Sequence, residues 1–61
     1  MKVIRAEQVQ TILGISPATF YRLIREEATF PRKVRLSSRA VGWIAEEVSA
    51  WIESRKETAH G

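Results

Sequence analysis

The chain has no cysteine. That excludes a disulfide framework and any thiolate–metal site, so apolar burial and hydrogen bonds must hold the fold, and it fits a reducing compartment. Histidine is almost as scarce: His60 is the only one, and it stands in the terminal stretch, so no pattern of histidines suggests a catalytic base or a metal ligand set. No apolar run approaches the roughly 20 residues of a membrane span, and no signal-peptide pattern opens the chain. The expectation is a cytoplasmic protein with no membrane contact. There is no glycine-rich phosphate loop and no cluster of metal-ligating residues. Glu26–Glu27 and Glu46–Glu47 are adjacent carboxylates, but neighbours on a helix point about 100° apart and do not converge on one substrate. A non-enzyme is expected, with no catalytic residue, cofactor, metal or small-molecule ligand. With three glycines and two prolines, no linker or low-complexity segment divides the chain. At 61 residues it is one domain near the lower limit for independent folding, since so short a chain buries only about 60% of its unfolded surface.

What is there concentrates in Leu13-Gly14-Ile15-Ser16-Pro17-Ala18-Thr19-Phe20-Tyr21-Arg22. Gly14 lacks a Cβ and can take the positive φ that a sharp turn needs. Ser16 can cap a following helix by accepting from a free N–H. Pro17 suits the first helical position, where no N–H is required. Two short helices joined by such a turn form a helix-turn-helix, a motif that usually lays its second helix in the major groove of DNA.

The spacing along the rest of the chain extends this reading. Met1 to Ile4 is a short extended lead. A first helix is expected from about Ala6 to Leu13, with Val9, Ile12 and Leu13 inward, and a second from Pro17 to about Glu27, ended by Phe30-Pro31. On the second helix Phe20, Leu23 and Ile24 share the inner face. Ala18, Arg22 and Arg25 fall opposite, with Tyr21 at the flank. Lys33 to Leu36 and Ala40 to Trp43 read as a hairpin around Ser37-Ser38-Arg39, with Val34 and Leu36 on one side answered by Val41 and Trp43. Gly42 suggests a bulge or a close backbone approach. A last helix runs from about Ala45 to Arg55 with Ile44, Val48, Trp51 and Ile52 on one face. Its cap is poor, although Glu46 and Glu47 at its start and Arg55 and Lys56 at its end suit the helix dipole. Helix, turn, helix, hairpin, helix is the order of a winged helix-turn-helix, mostly α with a small β-hairpin. A single DNA-binding domain over 1–57 and a frayed tail over 58–61 are expected.

The formal net charge of +3 is unevenly spread. Arg22, Arg25, Arg32, Lys33, Arg35 and Arg39 face only Glu26 and Glu27 in the middle of the chain. Arg55 and Lys56 are outnumbered by Glu46, Glu47, Glu53 and Glu57 at its end. A basic middle and an acidic end suit one surface that meets a polyanion and one that does not.

Gly14-Ile15-Ser16, then Thr19-Phe20-Tyr21-Arg22, Phe30-Pro31, Val34-Arg35-Leu36, Arg39-Ala40-Val41-Gly42-Trp43, Glu47-Val48 and Ala50-Trp51-Ile52 together resemble the AlpA-type prophage regulators. These are small winged helix-turn-helix proteins, similar to phage excisionases and to the DNA-binding head of MerR-type regulators. The resemblance covers about Ile4 to Arg55. It implies a bacterial, nucleoid-associated regulator encoded on a mobile element, of the kind that controls integrase or excision genes or shapes DNA for excision. Ala28 stands where the family often has a glycine closing the second helix, and Lys33 where it often has a second proline.

The DNA-binding candidates are Ser16, Ala18, Thr19, Tyr21, Arg22, Arg25, Arg32, Lys33, Arg35 and Arg39. Arg22 and Arg25 can pair with guanine edges, and Tyr21 can bond a phosphate or pack on a sugar. Arg25 can equally pair with the neighbouring glutamates. Thr19 can reach a phosphate or a thymine methyl, or lie half-buried between the helices. Ser16 can cap the helix and help present its N–H groups to a phosphate. Arg32, Lys33, Arg35 and Arg39 fit backbone phosphates or the minor groove, and would otherwise be a solvated edge that discourages strand pairing. Trp43 and Trp51 could stack on bases, but a domain this small needs them in its core. Three functions are compatible: a sequence-specific transcriptional regulator, an excisionase-like DNA-bending factor, and a protein–protein adaptor on the same scaffold. A basic stripe on one side favours the first two. No heptad or apolar stripe marks a dimer seam, so a monomer that assembles cooperatively on DNA is expected.

Overall fold

Gly14 takes φ 70° and ψ 35°, the left-handed conformation its position requires. The computed structural model, which describes residues 1–57, ends helix α1 (Ala6–Leu13) at this residue. The N–H groups of Gly14 and Ile15 both reach back to the Gln10 carbonyl, at 2.8 and 3.1 Å, and Gly14 also approaches that of Thr11 at 3.2 Å. This doubly bonded end satisfies carbonyls that the helix leaves open. Two residues on, the Ser16 hydroxyl accepts from the Thr19 N–H at 3.2 Å and Pro17 opens helix α2 (Pro17–Glu26). Helix α2 stops without a left-handed residue: Glu27 is extended at φ −101°, and among the described residues only Gly14 has positive φ. Ala28 therefore carries no strain from the glycine it replaces. The expected tail, 58–61, lies outside the described residues.

The extended lead is part of a sheet. Val3–Ile4 forms strand β1, which joins β2 (Val34–Ser37) and β3 (Ala40–Ile44) in a three-stranded antiparallel sheet of order β1-β3-β2. The expected hairpin is present, but its register differs by one residue. Val34 lies opposite Gly42 and Arg35 opposite Val41, with a bulge between Arg35 and Ser37. Directly opposite residues share a face, so Arg35 is on the side of Val41, Trp43 and Ile4, while Val34 belongs with Gly42. The cause is Gly42, where a Cβ would stand 2.5 Å from Val3 Cγ1, 2.9 Å from the Ile4 carbonyl oxygen and 3.4 Å from Leu36 Cδ1. Without one, the side chains of Val3 and Leu36 close over it on the outer face.

Ile4, Val9, Phe20, Phe30, Trp43 and Val48 form the buried core. The Phe20 ring meets Trp43 and Phe30 edge-on, at centroid distances of 5.2 and 6.2 Å, the arrangement that ring quadrupoles favour. Ile12, expected inward, is 54% exposed. Helix α1 buries Val9 and packs Ala6 and Leu13 against the core, and Ile12 falls outside that stripe on the far side of Val9. Helix α3 (Ala45–Arg55) begins directly after β3 with no side-chain cap. Its first N–H, of Ala45, donates instead to the Lys2 carbonyl at 2.7 Å. The Lys2 N–H in turn donates to the Glu46 carboxylate at 3.3 Å. Backbone N–H bonds from Glu46 itself and from Lys2 hold that carboxyl below its ordinary range. The partner missing from the poor cap read from the sequence is thus supplied by Lys2, the residue before β1, whose pairing with β3 the sequence did not reveal.

Candidate nucleic-acid interface

Helix α2 buries Phe20 and sets Leu23 and Ile24 against the core, which turns Ala18, Arg22 and Arg25 to solvent. Tyr21 is 53% exposed, with its ring edge-on to Phe20 at 5.1 Å. The packing fixes the ring while its hydroxyl end stays free to reach a partner. Thr19 is half-buried, and its hydroxyl oxygen accepts from the Ser16 hydroxyl at 3.0 Å. Both side chains are thus committed to the cap, and the first turn of α2 stays open beside them.

Arg32, Lys33, Arg35 and Arg39 are all exposed. Arg32 and Lys33 belong to the linker between α2 and β2, Arg35 to β2, and Arg39 to the hairpin turn, where its N–H donates to the Ser37 hydroxyl at 3.3 Å. Among the described residues, no carboxylate lies within ion-pair distance of these four or of Arg22 and Arg25. Glu27 pairs with Arg55 at 3.0 Å rather than with Arg25. Six cations on α2, the linker and the hairpin are thus exposed without an ion pair among the described residues, with the exposed Glu26 as their nearest carboxylate in sequence on α2.

An open groove of about 630 Å³ joins these elements. Its floor is apolar, with Ile24, Phe30, Val41 and Trp43, and its rim carries Tyr21 from α2 and Arg32 and Lys33 from the linker. Of the sequence-predicted residues the groove brings together Tyr21, Arg32 and Lys33, while Ser16, Ala18, Thr19, Arg22, Arg25, Arg35 and Arg39 are not part of its lining. Glu27 and Ala28 also line it and were not among the candidates. Nor were Thr29, Trp51 and Arg55, which hold the linker from behind. The Trp51 indole N–H donates to the Thr29 hydroxyl at 3.1 Å, and Arg55 lies 5.1 Å from the Trp51 ring centroid. Only the hydrogen-bonding need of an indole hinted at this, and its partner lies 22 residues away. Trp43 is a core residue, 2% exposed, whereas Trp51 is half-buried.

Among the described residues, no helix is long and apolar enough to cross a membrane. The profile of a family described as prophage CP4-57 regulatory protein (AlpA) matches residues 2–56. An uncharacterized protein, ORF88, of Enterobacteria phage P4 is 37% identical over 54 residues, which cover 88% of this chain and 60% of the phage protein. The chain therefore spans about 60% of that relative's length. The DNA-binding transcriptional activator AlpA of Escherichia coli K12 is 33% identical over 60 residues, covering 90% of this chain and 86% of the relative. No solved structure matches the chain.

Proposed function

The chain belongs to the AlpA family of prophage regulatory proteins, and from that premise we propose that it is a sequence-specific DNA-binding transcriptional regulator of a prophage or related mobile element. Residues 1–57 act as one winged helix-turn-helix domain in this reading. Helix α2 enters the major groove and the β2–β3 hairpin, as the wing, lies along the backbone. The observation that carries it is the set of six exposed, unpaired cations on α2, the linker and the hairpin. A polyanion-binding surface gains by keeping its cations free, because each one placed on a phosphate releases a condensed counterion.

Roles follow from placement. Arg22 and Arg25 read base edges, Tyr21 bonds phosphate or sugar, and the open first turn of α2, with Ala18 and the Ser16–Thr19 cap, faces a phosphate. Arg32, Lys33, Arg35 and Arg39 contact backbone. One such module buries on the order of 600–1,000 Å², so we infer several copies side by side on repeated sites. The deciding experiment titrates the protein against duplexes of the element's own promoter and attachment site, and against a scrambled duplex of equal length. The expected result is preference for a cognate duplex by about a thousandfold at physiological salt. Equal binding to all three removes sequence reading, and no binding removes the DNA-binding function. Strong bending of attachment-site DNA would make the protein an architectural factor instead.

A further inference from the structure

The linker between α2 and β2 carries Arg32 and Lys33 but has no regular structure of its own. Its position is set from behind, by α3. The Trp51 indole N–H donates to Thr29 Oγ1 at 3.1 Å, Arg55 Nη1 donates to Glu27 Oε1 at 3.0 Å, and the Trp51 ring meets that of Phe30 edge-on at 5.0 Å. Arg55 also rests on the Trp51 ring, so the two side chains act as one unit. Between Phe30 and Arg32 stands Pro31, whose ring fixes its own φ and restricts the residue before it. A shift at Thr29 or Phe30 is therefore passed on to Arg32 rather than absorbed. Arg32 lines both the cleft that Thr29 and Trp51 share and the groove under Tyr21, so it stands on the ridge between latch and interface.

We propose that Trp51 and Arg55, which lie behind the DNA-binding face, are positioning residues. Through Thr29 and Glu27 they latch the linker and so set Arg32 and Lys33 at the spacing from α2 that phosphates require. Arg55 has a second effect. Glu27 lines the interface groove, where a free carboxylate would repel phosphate, and the ion pair holds it turned toward α3 and neutralised. This inference rests on the DNA-binding reading above.

The test uses changes that leave net charge untouched. Thr29→Val and Trp51→Phe each delete the indole bond while keeping most of the bulk, and Thr29→Ser keeps the acceptor. Both deletion variants should stay folded by circular dichroism and bind cognate duplex about fivefold more weakly, the effect of losing one neutral hydrogen bond. The salt slope of log K should fall by roughly 0.9 for each phosphate no longer neutralised, up to about 2 for Arg32 and Lys33. Sequence preference should be kept, and Thr29→Ser should behave as wild type. In the nuclear magnetic resonance spectrum, the Trp51 indole proton should move in Thr29→Val and not in Thr29→Ser. Folded Thr29→Val and Trp51→Phe with wild-type affinity and slope would overturn the latch, as would an indole signal that ignores Thr29→Val. If wild-type protein binds no duplex, the DNA-binding reading fails and the latch's role with it. If wild type binds and the variants bind alike, only the latch fails.

Discussion

Phe20 and Arg22 stand two positions apart on one helix and have opposite surroundings. Phe20 is fully buried among three aromatic rings, and Arg22 is exposed with no carboxylate within ion-pair distance among the described residues. The helical period alone separates them, so both were legible in the sequence. Replacing Arg22 by Ala should weaken cognate binding by about 1–3 kcal/mol and relax preference at one or two base pairs, with the melting temperature almost unchanged. Binding to a panel of single-base-pair variants of the site checks this. A variant that discriminates as wild type does would remove Arg22 from the reading set. Residues whose partners lie far along the chain were not legible. Trp43 and Trp51 look alike in sequence, since each sits on an apolar stripe. The structure separates them because Trp43 is on the central strand of the sheet, against Phe20, while Trp51 is near the end of α3, where Phe30, Thr29 and Arg55 lie against it and leave it half-buried. The pairing of Glu27 with Arg55 is hidden for the same reason: nothing within one helix turn reveals a contact made 28 residues away.

At the scale of elements, two glycines show what kind of information the sequence carries. Gly14 is needed for its conformation: φ is +70°, and a Cβ there would meet nothing within 4 Å. Gly42 is needed for space, because a Cβ there would run into the Ile4 carbonyl oxygen and the Val3 side chain. Gly14→Ala should therefore cost about 1–2 kcal/mol, the left-handed penalty alone, and Gly14→Asn should recover part of it, since Asn tolerates that region better. Gly42→Ala forces backbone apart and should cost about 1–3 kcal/mol or more, with no recovery from any side chain that carries a Cβ. Denaturant unfolding measures both. If Gly14→Asn were no better than Gly14→Ala, the end of α1 would not depend on backbone conformation. The turn was legible because capping is a contract among neighbours in the chain, and Gly14, Ser16 and Pro17 keep it locally. The sheet was less so. Its register depends on β1, two residues long and more than 35 residues from its partner strand. Val3 has to lie over Gly42, and that sets which face of β3 is buried. A period-two pattern in Val34–Leu36 cannot reveal a third strand, and a slip by one residue exchanges faces.

The whole molecule separates its charges. Among the described residues the cations of α2, the linker and the hairpin make no ion pair, while Glu46, Glu47, Glu53 and Glu57 lie on or just beyond α3. This asymmetry was readable from the order of residues, although which wall each cation joins was not. Arg35 in particular lies opposite Val41 on the edge strand β2, on the face of β3 that carries Val41 and Trp43, and its side chain is exposed. The placement makes a prediction for the hairpin side as a unit. Lys33, Arg35 and Arg39 are proposed to meet phosphates, which carry no sequence information, so changing all three to Gln should weaken cognate and scrambled duplex alike. Every phosphate left without its cation should lower the salt slope of log K by roughly 0.9, and the triple variant should flatten it by up to about 3 units. The fold should survive, because all three side chains are exposed, and circular dichroism confirms it. Titrations from low to moderate salt on both duplexes measure the slopes. An unchanged slope in the folded triple variant would take the hairpin off the DNA and leave α2 to bind alone. A weakening confined to cognate duplex would mean that the hairpin reads groove shape. Some of the specificity assigned to Arg22 and Arg25 would then belong to Lys33, Arg35 and Arg39.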